Sequence, residues 1–223
     1  MSAFIALDGP DGCGKSTQAQ RLVESLRARG HEVLHLREPG STPFGERLRA
    51  ALLDPAVGEL APLTEALAFF AARRAMLDEE GGPARARGAI VVAERSFLST
   101  VVYQGTACRA HRVDDAVMQQ GTEAVHAECR HDLLLVLDVD PDVAAVRAAD
   151  RRPDRIEARG VEFQRRVRDG FLALSEPGHW AARLASVGIE RVDANQSLDE
   201  VHDAVVRAAL RCIEQVRLRG GQA

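Results

Sequence analysis

Of the 29 Lys and Arg side chains in this 223-residue chain only one is a lysine, and it is Lys15 in the string Gly9-Pro10-Asp11-Gly12-Cys13-Gly14-Lys15-Ser16-Thr17. The string satisfies Gly-x-x-x-x-Gly-Lys-Ser/Thr. In that spacing the loop's backbone N–H groups cradle phosphates, a compact ammonium reaches the outer phosphates, and the Ser16 hydroxyl serves a Mg²⁺ ion. A planar guanidinium is too broad and stiff for the ammonium's place, so this is the position where arginine cannot stand in for lysine.

The flanks suit the motif. Phe4-Ile5-Ala6-Leu7 before it reads as a strand, and Ala19, Leu22, Val23 and Leu26 after it fall on one face of a helix. Arg29-Gly30 closes that helix with a basic last turn and a glycine cap. Strand, glycine loop and helix form the setting in which this loop holds phosphate.

Further polar groups gather where apolar runs end. The runs are Phe4–Asp8, Val33–Arg37, Ile90–Glu94, Leu133–Val139 and Ile189–Asp193, separated by helical patterns and by loops at Pro39–Pro43, Gly81-Gly82-Pro83 and Arg152-Pro153. This alternation predicts an α/β fold in three layers, a five-stranded parallel sheet flanked by helices, of the P-loop NTPase type. Ligands of such sheets sit beyond the carboxyl ends of the strands, where this chain places Asp8, Arg37-Glu38, Glu94-Arg95, Asp138 and Asp193. Asp138 reads equally well as a partner of the phosphate loop and as a cap of the next turn.

Several pairs have spacings that could serve a second ligand. Phe69 and Arg73 lie four apart on a predicted helix, so a ring could stack on a base while a guanidinium bonds its edge. The same spacing also suits a core phenylalanine beside a solvated arginine, and Phe70 reads as core. Glu94 could hold a hydrated Mg²⁺ while Arg95 grips an acceptor phosphate, or the two could form a strand-end ion pair. Ser99/Tyr103 and Thr100/Gln104 form a polar stripe on one predicted helix, facing either a ligand or solvent. Five arginines (Arg147, Arg151, Arg152, Arg155, Arg159) surround Pro153, as a mobile lid over about 147–160 or as a solvated basic turn. Phosphoryl transfer needs cations around the moving group, and no base occurs in Gly9–Gly14. Arg151 or Arg152 is the expected catalytic cation, with Arg147 on the adenine.

Composition narrows the class. Length and the lack of a linker indicate a single domain over 1–223, and a net charge of −4 with pI near 6.0 argues against a broad nucleic-acid footprint. No apolar segment reaches membrane-spanning length, and the four cysteines (Cys13, Cys108, Cys129, Cys212) form no Cys-x-x-Cys pair, so a reduced cytoplasm is expected. The seven histidines lack ligand spacing. A guanine-reading Asn-Lys-x-Asp motif is impossible with one lysine, and no strand ends in the paired acids of a motor ATPase. A small kinase that moves a γ-phosphate to an arginine-held acceptor remains.

The succession Gly9 to Thr17, Arg37-Glu38-Pro39-Gly40-Ser41-Thr42, Phe69-Phe70-Ala71-Ala72-Arg73, Glu94-Arg95, Ser99-Thr100, Tyr103-Gln104-Gly105 and Asp154-Arg155-Ile156-Glu157 resembles the thymidylate kinase family over nearly the whole chain. The resemblance implies transfer of phosphate from MgATP to dTMP, giving dTDP and ADP for dTTP synthesis, by a homodimer. It implies that Phe69 and Arg73 hold the thymine and that the Ser99–Gln104 stripe reads its edge and crowds the sugar 2′ position. Asp11 is then the partner of the acceptor's 3′-hydroxyl, Pro39 borders the acceptor, Glu38 lies near the acceptor or its metal, and Arg49 holds the acceptor phosphate. The family normally has aspartate where this chain has Glu94. That departure leaves open a kinase for another or a modified pyrimidine deoxynucleoside monophosphate, and a regulator that binds nucleotide without turnover is the further alternative.

Overall fold

A computed structural model describes residues 2–108, 112–148 and 154–220 of the chain. Strands β1 (Phe4–Asp8), β2 (Val33–Arg37), β3 (Ile90–Glu94), β4 (Leu133–Asp138) and β5 (Gly188–Asp193) form one sheet in the order β2-β3-β1-β4-β5, with every pair parallel. The five-stranded α/β architecture expected from the sequence is therefore present, with β4 ending one residue early and β5 starting one early.

Side-chain alternation divides the strands between two apolar layers. Phe4, Ala6, Val91, Ala93, Leu134 and Val136 face one, and Ile5, Leu7, Ile90, Val92, Leu133 and Leu135 face the other. That is why the central strands read as unbroken apolar runs. On the second face lie α1 (Lys15–Ala28) and α9 (Leu198–Gly220), which pack on each other through residues such as Leu22, Leu26, Val205 and Cys212. The apolar stripe of α9 from Val201 to Val216 is thus a packing face.

On the first face lie α3 (Pro62–Met76), α5 (Phe97–Thr100), α6 (Asp115–Val125) and α8 (Val161–Leu174). Helix α2 (Pro43–Leu53) packs on α3 and is capped by Thr42, whose Oγ1 accepts from Gly45 N at 3.0 Å. Short α4 (Gly82–Ala86) precedes β3, and α7 (Pro141–Ala148) follows β4. The helix expected to carry Ser99 to Gln104 is not uniform, since α5 widens after one turn into a π-helical segment, Val101–Thr106. Such segments recur at functional sites.

The site lies where β1 and β3 end. Their register pairs Leu7 with Glu94, so the phosphate loop leaves β1 directly beside Glu94 and Arg95.

Candidate active site

The loop from Gly9 to Thr17 takes its shape through its three glycines, all at positive φ, and at two of them a Cβ would also collide with neighbouring backbone. Gly9 (φ 141°) and Gly12 (φ 81°) lie in the left-handed half of the map, and a Cβ would sit 2.6 Å from Leu137 O and 2.5 Å from Ala144 O respectively. The loop thus lies tight against β4 and α7. Lys15 starts α1 and turns back over the loop, its Nζ donating to Gly9 O (2.9 Å) and Pro10 O (2.8 Å). Cys13 is buried in the same loop, and burial pushes its thiol up, which suits a packing residue.

Asp8, the last residue of β1, is fully buried and holds the adjoining segment in place. Its carboxylate accepts from Ser96 N (2.8 Å), Ser96 Oγ (2.7 Å), Ser99 N (3.1 Å) and Ser99 Oγ (2.7 Å). These bonds fasten the start of α5 to the end of β1, and they occupy the Ser99 hydroxyl that the sequence suggested for a ligand. Arg95 sits between the two segments at φ 73°, a strained conformation for a side-chain-bearing residue that is typical of functional positions.

Ser16 Oγ donates to Glu94 Oε2 at 2.5 Å, and His35 Nε2 approaches Glu94 Oε1 at 3.0 Å. Burial works to raise the Glu94 carboxyl, but the His35 and Ser16 contacts prevail and hold it below the ordinary range. An ionised carboxylate beside a hydroxyl gives two hard oxygen donors, and Mg²⁺ takes few protein ligands while keeping waters and substrate phosphates. The residues fit that ion, with glutamate in aspartate's place. The longer side chain is steadied by the Ser16 contact.

Arg95 bonds Asp11, and Tyr103 Oη donates to the other Asp11 oxygen at 2.7 Å. Burial would raise the Asp11 carboxyl, but Arg95 and Lys15 together with those bonds bring it down to about 2. The Arg95 guanidinium also lies 5.5 Å from the Tyr103 ring centre and donates to Ser99 Oγ at 3.1 Å.

Glu38, directly after β2 with a cis bond to Pro39, pairs with Arg73 deep in the protein. Burial raises the Glu38 carboxyl against the pull of Arg73. Arg73 also donates to Thr100 Oγ1 (3.1 Å) and Ser96 O (2.9 Å), so it is a buried, fully oriented group and not a solvated neighbour of Arg74. Phe70 is core, as expected, while Phe69 faces the cavity.

Two cavities meet here. A cleft of about 500 Å³ is lined by the phosphate loop, Glu94, Arg147, Gln196 and Leu198. The second cavity is lined by Pro39, Phe69, Arg73, Ser99, Thr100, Tyr103 and Gln104. Asp11, Glu38, Arg49, Arg95 and Asp154 border both. At the junction burial lowers the Arg49 guanidinium, and repulsion from Arg37 and Arg95 lowers it further. An anion placed among these three cations relieves that repulsion.

Arg147 donates to Ala194 O at 2.8 Å on the far side of the larger cleft. Arg151 and Arg152 lie outside the described residues. Asp138 has a different partner from either of those expected, since Arg168 on α8 grips it through two bonds of 2.6 and 3.2 Å. The sequence marks Asp8 only as one of the strand-end acids, and Glu65 is the group that sequence reasoning passed over. An acid directly before the glycine loop was a usable signal for Asp8, whereas Glu65 reads as an ordinary first-turn acid of α3.

A phosphate loop opening through an arginine-bordered junction into a second, aromatic-lined cavity defines a phosphoryl-transfer enzyme, an ATP-dependent nucleoside monophosphate kinase. Residues 7–205 match the family model described as thymidylate kinase. The chain is similar to thymidylate kinases of Deinococcus radiodurans (43% identity over 173 residues, 77% of this chain and 82% of the relative) and Pseudomonas fluorescens (40% over 215 residues, 96% and 98%). A third, from Geobacter sulfurreducens, is 39% identical over 199 residues, 85% of this chain and 92% of the relative. The chain belongs to the thymidylate kinase family.

Proposed function

We propose that the larger cleft holds MgATP, that the smaller cavity holds dTMP, and that transfer occurs across the junction bordered by Asp11, Arg49 and Arg95. The observation that carries this reading is the shared border itself, because ligands in the two cavities would meet at the same residues.

In this reading the loop N–H groups of Gly9–Thr17 and Lys15 hold the β- and γ-phosphates, and Arg147 packs on the adenine. Lys15 leaves its resting carbonyl partners for the phosphates. Ser16 and Glu94 hold Mg²⁺, which neutralises phosphate charge when bound. Arg49 and Arg95 hold the acceptor phosphate, Glu38 and Pro39 border it, and Asp11 accepts from the sugar 3′-hydroxyl through lone pairs left over from Arg95 and Tyr103. Phe69 stacks on the base, Arg73 and Gln104 face its edge, and Thr100 keeps a donor hydrogen because its oxygen accepts from Arg73. Ser99 and Tyr103 shape the wall. Arg151 or Arg152 supplies the cation at the transferring group.

We assign the working form as a homodimer in the cytoplasm. Support for the dimer comes from Leu63 and Leu67, exposed one turn apart on α3, beside exposed Val117 on the adjoining α6. Among the described residues no helix is long and apolar enough to cross a membrane, and all four cysteines are free. Incubation with ATP, dTMP and Mg²⁺ followed by nucleotide chromatography tests the reaction. Equimolar dTDP and ADP that require the metal are expected, and ADP without dTDP overturns it.

A further inference from the structure

Glu65 lies one turn into α3 and exposes none of its surface. A carboxylate so placed needs partners, and it draws them from two distant parts of the chain. Its Oε1 meets Arg159 Nη2 at 2.6 Å and Arg155 Nη1 at 2.8 Å, while its Oε2 accepts from Gln104 Nε2 at 2.9 Å. Arg155 is held further by Leu52 O at 2.9 Å. One buried acid thus ties the arginine-rich segment to the wall of the smaller cavity.

The bond to Gln104 has a consequence for recognition. A carboxylate only accepts, so the amide must turn its NH₂ toward Glu65. Gln104 Oε1 is left buried and without a protein partner, on a residue that lines the smaller cavity. The group available to a ligand is therefore an acceptor, and it suits a base edge that carries an N–H.

We propose that Glu65 is a positioning residue for acceptor-base choice, fixing the Gln104 amide so that the cavity selects a pyrimidine with N3–H over one with a lone pair at N3. This rests on the reading of the smaller cavity as the base site. Thymine and uracil carry N3–H, and cytosine does not. The ion pairs with Arg155 and Arg159 on the other oxygen hold the Glu65 side chain in register, which couples those two arginines to base recognition.

Glu65→Gln tests it. The new amide keeps its oxygen on the two arginines and turns its NH₂ toward Gln104, which must flip and present NH₂ to the cavity. The kcat/KM ratio of dTMP over dCMP is expected to fall by roughly tenfold or more, while the ratio of dTMP over dUMP stays unchanged because both carry N3–H. A purely structural role lowers all three alike, and that result overturns the proposal. The exchanged pair Glu65→Gln with Gln104→Glu restores an acceptor and is expected to recover the dTMP preference. If the single variant does not fold, the pair is read alone, and loss of the preference there overturns the proposal. N3-methyl-dTMP on the unmodified protein separates the two readings. Turnover equal to that of dTMP refutes the base site itself, whereas discrimination there together with an unaltered ratio in Glu65→Gln refutes only the role of Glu65.

Discussion

Arg95 directly after β3 is bonded to Asp11 of the phosphate loop, and this pair is part of the wall common to the two cavities. Asp11 is largely shielded from solvent and Arg95 partly so, which weakens screening of the pair. Each is also set by its backbone, Arg95 by a left-handed φ and Asp11 by the glycine turn around it.

Removing the cation should therefore change both binding and titration. In Arg95→Ala the acceptor KM is expected to rise and kcat to fall, since Arg95 grips the acceptor phosphate before and during transfer. The Asp11 carboxyl, held at about 2 against burial mainly by Arg95, should move upward. The acid limb of the kcat/KM profile then shifts to higher pH. A pH–rate series on the variant with an unmoved acid limb would show that Asp11 does not depend on Arg95.

Lys15→Arg should fold normally and lose turnover by about a thousandfold or more, because a lost transition-state cation costs several kcal/mol. The compact ammonium now donates to two loop carbonyls, Gly9 O and Pro10 O, in a space sized for a point charge rather than a broad planar group. Circular dichroism and steady-state kinetics check it, and near-normal activity would contradict it.

Much of this site could be read from the chain, and the reasons are local. The loop, the strand ends and the Phe69/Arg73 spacing depend on short-range pattern, which the sequence displays directly. Glu65 could not be read because its burial depends on Arg155 and Arg159, about ninety residues later. The π-helical segment was equally hidden, since Val101-Val102-Tyr103 carries helical apolar spacing but no mark of its hydrogen-bond register. Asp138 was ambiguous for the same reason, its partner Arg168 lying a helix away.

Substituting Arg151 and Arg152 singly by alanine is expected to lower kcat by about a hundredfold or more for at least one, with a much smaller change in acceptor KM. Normal kcat in both variants would place the catalytic cation elsewhere.

Acid should destabilise the fold through two histidines under the first apolar layer. Burial, with help from Arg73, brings His126 down to about 3, and burial and His126 hold His131 well below its ordinary value. Both stay neutral when folded and become protonated on unfolding below about 6.5. Their contribution is present above that pH and is lost as pH falls toward 3, by about 1.4 kcal/mol per pH unit for each. Urea unfolding from pH 7 to 5 should show this slope, and His126→Gln should reduce it. An equal slope in that variant would rule His126 out.

The most direct test of the account is ATP consumption measured against a panel of acceptors: dTMP, dUMP, dCMP and the ribose monophosphates of uracil and cytosine. The joined cavities, with Phe69, Arg73, Thr100, Tyr103 and Gln104 around the acceptor, predict dTMP preferred over the ribose uridine and cytidine monophosphates by about a hundredfold or more in kcat/KM. Equal use of ribose and deoxyribose acceptors, or hydrolysis of ATP indifferent to any acceptor, would contradict it.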